Sequence, residues 1–241
     1  MNHKNTLNGH SSLLMRIFKR KMKKNFLLFS ALFMLIASCS QHTQALSEAE
    51  LRAQQVAEAH GLDAFAKISE VAFTWGVARA DGNFERRWIW NTKNDTVTRI
   101  MNGDSISYNW KRLDSVSNEI NKGFINDKYW LFAPLQLAWD KGSYTVSLEK
   151  EVESLGQGQL LDKLTISYGN EGGYTPGDAY DFYIDKDHVV REWVFRRGAS
   201  DEPSIVSICE DYITLGGLVM AQKHSRSGQE NYLYLSDIIV K

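Results

Sequence analysis

From residue 47 onward, apolar and polar positions follow two rhythms in turn. Ala49, Ala53, Val56, Ala57 and His60 recur at helical spacing, and Ser47 with Glu50 has capping-box spacing. This predicts a helix over 47–60 that Gly61 ends, with His60 as a helix-end residue. The period then drops to two: Phe84, Arg86, Trp88 and Trp90 share one face, Glu85, Arg87 and Ile89 the other. Polar turns at 91–94 and 102–104 divide this run from 95–101 and 105–113, giving three antiparallel strands joined by hairpins. Over 114–140 the rhythm breaks. Val116, Ile120, Phe124 and Tyr129-Trp130-Leu131-Phe132 fit short helices, interrupted at Pro134. Seven more strands are predicted at 144–153, 160–168, 179–184, 188–196, 205–215, 218–224 and 232–240. Asp185-Lys186-Asp187 and Gly216-Gly217 are turns between them. No Pro- or Ser-rich linker interrupts 47–241, so one domain is expected. The expected class is α+β, mostly β: a curved antiparallel sheet or unclosed β-barrel, with an N-terminal helix and short helices over its open face.

Residues 1–38 follow a different pattern. Lys19-Arg20-Lys21-Met22-Lys23-Lys24 is a positive run, followed by an apolar stretch over 26–36. Its length lies within the roughly 7–15 residues of a secretory signal core and below the roughly 20 that a membrane-crossing helix needs. Ile36-Ala37-Ser38-Cys39 resembles the lipobox of bacterial lipoproteins. That resemblance implies cleavage before Cys39 and diacylglycerylation of its thiol, and two or more acyl chains make a stable anchor. The expected organisation is therefore a signal peptide over 1–38, a lipidated tether over 39–46 and a single domain over 47–241. Met22 opens a more typical leader, so 1–21 reads as a start-site artefact. Ser40, where an Asp would favour inner-membrane retention, fits the outer membrane by analogy, with the domain facing the periplasm.

Charge sharpens this division. Residues 1–38 carry seven Lys or Arg and no acidic residue, which leaves 21 basic and 29 acidic residues from Cys39 onward, a net charge of −8. Such a domain lacks the basic footprint that nucleic-acid binding needs. With Cys39 lipidated, Cys209 is the one remaining thiol and no internal disulfide can form. In its apolar run Cys209 reads as a buried structural residue, with no nearby His in the sequence to support a nucleophile.

The helix over 47–60 leading into 68–78, the segment Phe124-Ile125-Asn126-Asp127-Lys128-Tyr129-Trp130, the stretch 174–185, and Glu210-Asp211-Tyr212 with Leu215-Gly216-Gly217-Leu218 together resemble the lipoprotein-localisation carrier superfamily, the LolA/LolB-like proteins. The resemblance spans nearly all of the chain after Cys39. It implies an unclosed barrel plugged by helices, whose apolar inner surface holds acyl chains without any catalytic group. The lipobox matches the anchored receptor type better than the soluble carriers, but the receptor's exposed apolar loop is not identifiable.

The residues proposed to line a ligand cavity are Trp88, Trp90, Trp110, Trp130, Trp139 and Trp193. The competing reading is that they fill the core. Asp178, Asp181, Asp185 and Asp187 do not match a calcium loop. His188 and His224 stand alone, and no Gly-x-Ser-x-Gly elbow occurs. Arg86-Arg87 and Arg196-Arg197 read as solvated strand residues. No metal and no cofactor is expected. The chain is expected to be a non-catalytic, lipid-anchored envelope protein that binds a hydrophobic molecule or lipid, with an envelope protein as a further partner. Glycan binding on aromatic platforms is the alternative, and a carboxylate-dependent hydrolase ranks below it.

Overall fold

The computed structural model describes residues 45–241. The expected signal segment, Cys39 and the first part of the tether lie outside them. The chain starts with helix α1 (Glu48–Ala59), and the predicted capping box is present: Ser47 accepts from the Glu50 amide, and Glu50 accepts from the Ser47 amide. Ala49, Ala53, Val56 and Ala57 form its buried face. Gly61 turns the chain with φ 93°, and a Cβ there would stand 2.3 Å from the Gly217 carbonyl oxygen, so glycine is required twice over. A short helix α2 (Leu62–Phe65) follows.

Four strands come next: β1 (Glu70–Ala78), β2 (Phe84–Asn91), β3 (Thr96–Met101) and β4 (Asp104–Asn109). After helix α3 (Ser115–Trp139) come β5 (Tyr144–Glu153), β6 (Leu160–Tyr168), β7 (Ala179–Ile184), β8 (Val190–Arg196), β9 (Ile205–Leu215), β10 (Leu218–Ser225) and β11 (Tyr232–Val240). All pair antiparallel in one sheet of order β4-β3-β2-β1-β11-β10-β9-β8-β7-β6-β5. Only the β1–β11 pairing joins strands distant in sequence. The sheet is not closed, because β4 and β5 are its two edges. The expected fold class is the observed one.

Two details differ from expectation. Four strands precede the helical segment, because β1 also enters the sheet. It lies between β2 and β11 and is buried over Val71–Gly76, so it lacks the polar alternation that marks an edge or one-sided strand. The expected short helices are one helix, α3, kinked at Phe132 (φ −122°, ψ 19°) two residues before Pro134. Asp114 caps it, accepting from the Ser117 amide at 2.7 Å.

Helix α3 connects the two edge strands and packs against both halves of the sheet. Phe124, Leu131, Phe132 and Leu135 join Phe73, Trp75, Trp88, Trp90 and Leu235 in one core. Tyr129, Ala133 and Leu137 join Val56 of α1 with Leu164, Ile166, Phe182 and Trp193 in the other. Every strand and both cores lie within Leu46–Lys241, which forms one compact unit. Among the described residues no helix is long and apolar enough to cross a membrane.

Candidate functional site: an aromatic cavity around Lys128

Helix α3 packs against both halves of the sheet, and several separate cavities lie among the described residues. The cavity that gathers the most distinctive chemistry has a volume of about 490 Å³. Its walls come from Phe65 of α2, Trp90 at the end of β2, Trp110 after β4, Lys128 and Trp139 of α3, and Tyr174 of the β6–β7 loop. Local sequence explains each position. Alternation places Trp90 on the same face of β2 as Trp88. On α3, Phe124, Lys128, Leu131, Leu135 and Trp139 recur at steps of three and four, so Lys128 occupies one position of an otherwise apolar stripe.

The aromatic rings pack edge to face. Trp90 meets Trp110 at 6.3 Å and 89°, and Trp139 at 6.4 Å and 90°. Phe65 closes the group, 5.4 Å from Trp90 and 4.9 Å from Trp139. Tyr174 stacks on Tyr129 at 4.3 Å and donates a hydrogen bond to the Ile125 carbonyl, which holds the β6–β7 loop against α3.

Into this group α3 projects the ammonium of Lys128. Its Nζ lies 5.0 Å from the Trp139 ring centre, 5.6 Å from Trp90 and 5.8 Å from Trp110. Lys128 is only 7% exposed. Among the described residues it has no hydrogen-bond or ion-pair partner. Burial pushes its pKa down to about 8, opposed by the charge of Asp140. Asp140 itself accepts a hydrogen bond from the Tyr168 hydroxyl at 2.8 Å. At the rim Lys111 pairs with Asp95 at 3.1 Å. The indole N–H groups of Trp90 and Trp110 and the side-chain carbonyl of Gln136 are buried without a partner among the described residues.

The six tryptophans singled out from the sequence divide three ways. Trp90, Trp110 and Trp139 come together in this cavity. Trp130 and Trp193 pack on each other at 4.6 Å, and Trp130 also borders a second cavity of about 330 Å³ with His224 and Arg226. Trp88 is fully buried and donates its indole N–H to Asp127 at 2.7 Å. Lys128 was not singled out. The signal that could have found it is a lysine within the apolar i, i+4 stripe of a helix.

The remaining polar residues have structural partners. Arg86 is not a solvated strand residue: it pairs with the fully buried Asp127. Arg196 pairs with Asp181, which also accepts from Thr165. Asp185 accepts from the amides of Asp187 and Val189, the geometry of a turn. His188 sits in that turn at φ 62° rather than on a strand. His60 is buried at the end of α1, with Nε2 accepting from the Val190 amide and Nδ1 facing the Val219 carbonyl.

Cys209 is buried as expected, but a histidine does stand near it: His224, its cross-strand neighbour, lies 3.8 Å away. Burial pushes the thiol up to about 12 and the imidazole down to about 4, so both stay neutral. A nucleophilic cysteine needs the opposite, a thiolate stabilised by a positive neighbour. Among the described residues no group of three or more His, Cys, Asp or Glu is placed to hold a metal ion.

No family model matches the chain, and no curated protein matches it. Solved structures do. A DUF1329 family protein from Desulfovibrio piger matches with 10% identity and a TM-score of 0.44, over 80% of this chain and 93% of that one. A LolA superfamily protein from Nitrosomonas europaea matches with 12% identity and a TM-score of 0.44, over 78% and 93%. A domain assigned to outer membrane lipoprotein sorting, from Vibrio parahaemolyticus, matches with 13% identity and a TM-score of 0.43, over 78% and 93%.

Proposed function

We propose that the chain is a lipid-anchored binding protein of the bacterial cell envelope. It holds the apolar part of a lipid or other hydrophobic molecule in the cavity of Trp90, Trp110 and Trp139, and it catalyses no reaction. The observation that carries this reading is the cavity itself: about 490 Å³ with aromatic walls, within the roughly 300–1,000 Å³ of ligand sites. Each methylene buried there contributes about 0.8 kcal/mol, so useful affinity requires no reacting group.

The address comes from the sequence. Cys39 carries the acyl chains, 40–46 serves as the tether, and the acidic domain faces the periplasm from the outer membrane. A second envelope protein that delivers or receives the ligand fits this arrangement. Glycan stacking is less well supported, because flat platforms need surface indoles and none of the tryptophans is exposed.

Native mass spectrometry of residues 40–241, secreted without the acylated cysteine, tests the binding function. The expected result is a co-purifying lipid-sized mass, or uptake of the neutral dye N-phenyl-1-naphthylamine where the ligand has been washed away. A ligand-free protein that also fails to take up the dye would overturn it. For the anchor, mass analysis of the full chain expressed in a bacterial host should find residues 1–38 removed and Cys39 acylated as the new first residue. A chain that keeps residues 1–38, or one cut there with an unmodified Cys39, would refute lipidation at Cys39.

A further inference from the structure

We propose that the cavity's ligand carries an acidic head group, a carboxylate or phosphate, and that Lys128 is the residue that recognises it. This deepens the proposed function and rests on it, since it assumes that the cavity binds a ligand at all.

The argument begins with the placement of the charge. Lys128 occupies a stripe of α3 whose other members are apolar, and the side chain is 7% exposed. Lysine is almost never buried to this degree unless it is paired. Here no carboxylate is in contact: among the described residues Lys128 forms no ion pair, Asp95 is engaged by Lys111, and Asp140 is hydrogen-bonded by Tyr168. Three indole faces at 5.0–5.8 Å partly stabilise the ammonium without neutralising it. An ammonium offers three donors and no acceptor, so what it lacks is an acceptor or an anion.

Its surroundings lean the same way. The indole N–H groups of Trp90 and Trp110 are two further donors without partners. Buried polar groups are ordinarily hydrogen-bonded, and these two buried indole donors outnumber the one unpartnered acceptor lining the cavity, the Gln136 side-chain carbonyl, so a ligand group that accepts is favoured. A pKa of about 8 keeps the amine largely protonated near neutral pH. The aromatic walls then suit the apolar remainder of an amphiphile whose head reaches Lys128.

The test uses residues 40–241, which contain both cores and every strand, with N-phenyl-1-naphthylamine as a neutral reporter of the cavity. Decanoate, decyl phosphate and decan-1-ol compete for it. At least one of the two anions should displace the dye at a concentration about tenfold or more below that of decanol. Within Lys128→Met, whatever its affinity for the dye, the anions should lose their advantage over decanol, and Lys128→Arg should retain it. If Lys128→Met does not fold, the comparison within the wild-type protein decides. Equal displacement by all three would overturn the acidic head group and leave the apolar site intact. A preference that survives in Lys128→Met would overturn the role of Lys128. Failure of the dye to bind wild-type protein would overturn the binding function, and this inference with it.

Discussion

Arg86 on β2 grips the carboxylate of Asp127 on α3 from two guanidinium nitrogens, Nη2 to Oδ1 at 2.6 Å and Nε to Oδ2. Asp127 is fully buried, and Trp88 Nε1 at 2.7 Å and Asn126 at 3.0 Å complete its shell. Burial raises its pKa, and the pull of Arg86 opposes that rise. The pair thus fixes α3 to the first half of the sheet at the cost of one fully desolvated charge, Asp127, and one partly desolvated, Arg86. Removing one partner should be worse than removing both. Arg86→Ala is expected to destabilise the domain by about 3–5 kcal/mol, read as a fall in the urea midpoint. Adding Asp127→Asn should restore part of that loss. If the double variant is less stable than Arg86→Ala, the carboxylate is not the group left uncompensated.

His60 and His224 are both buried, and burial holds both near a pKa of about 4 against an ordinary value of 6.5. Between those values the unfolded chain binds protons that the folded chain does not, so stability rises with pH there and is lost as pH falls from about 6.5 to about 4. Each histidine contributes up to about 3 kcal/mol to that slope. Urea midpoints measured every half unit from pH 4 to 7.5 should show the loss, and His60→Gln should reduce it. Its Nε2 accepts from the Val190 amide, so this variant also lowers stability uniformly. The diagnostic is therefore the slope rather than the level. A slope unchanged in His60→Gln and in His224→Gln would show that folding does not lower the pKa of either imidazole.

Much of the sheet was legible because its pattern is local. The hairpin turns at Asn102-Gly103, Asp185–Asp187 and Gly216-Gly217 and the alternation on β2 and β8 define pairings between neighbours in sequence. β1 is not legible in this way, because burial on both faces removes the alternation that distinguishes a strand. For the single helix α3 the sequence suggests several, because Pro134 and the cluster Tyr129–Phe132 indicate a break. The chain instead kinks at Phe132, and the Trp130 carbonyl, which Pro134 has no N–H to engage, faces the imidazole of His224. The site was legible only in its aromatic half. Asp127 and Lys128 are adjacent and look like a solvated polar step. Their burial depends on Arg86, Trp90, Trp110 and Trp139, which only the tertiary fold brings to them.

If Lys128 is kept for recognition rather than for folding, its burial should cost stability. The folded state holds its pKa at about 8 against 10.5. Between those values the unfolded chain again binds the extra proton, so wild-type stability should rise as pH increases from about 8 to about 10.5, with Asp95, Lys111 and Asp140 as the charged groups bordering the same cavity. At pH 7 the protonated amine then costs up to about 3 kcal/mol. Methionine matches the lysine stem in length and introduces no charge, so Lys128→Met should raise the urea midpoint at pH 7 and abolish the rise above pH 8. Thermal unfolding at pH 7 and pH 10 measures both effects on the same samples. A Lys128→Met variant clearly less stable than wild type at pH 7 would mean that the three indoles supply the ammonium with more than its burial removes, making Lys128 a structural residue of the aromatic group.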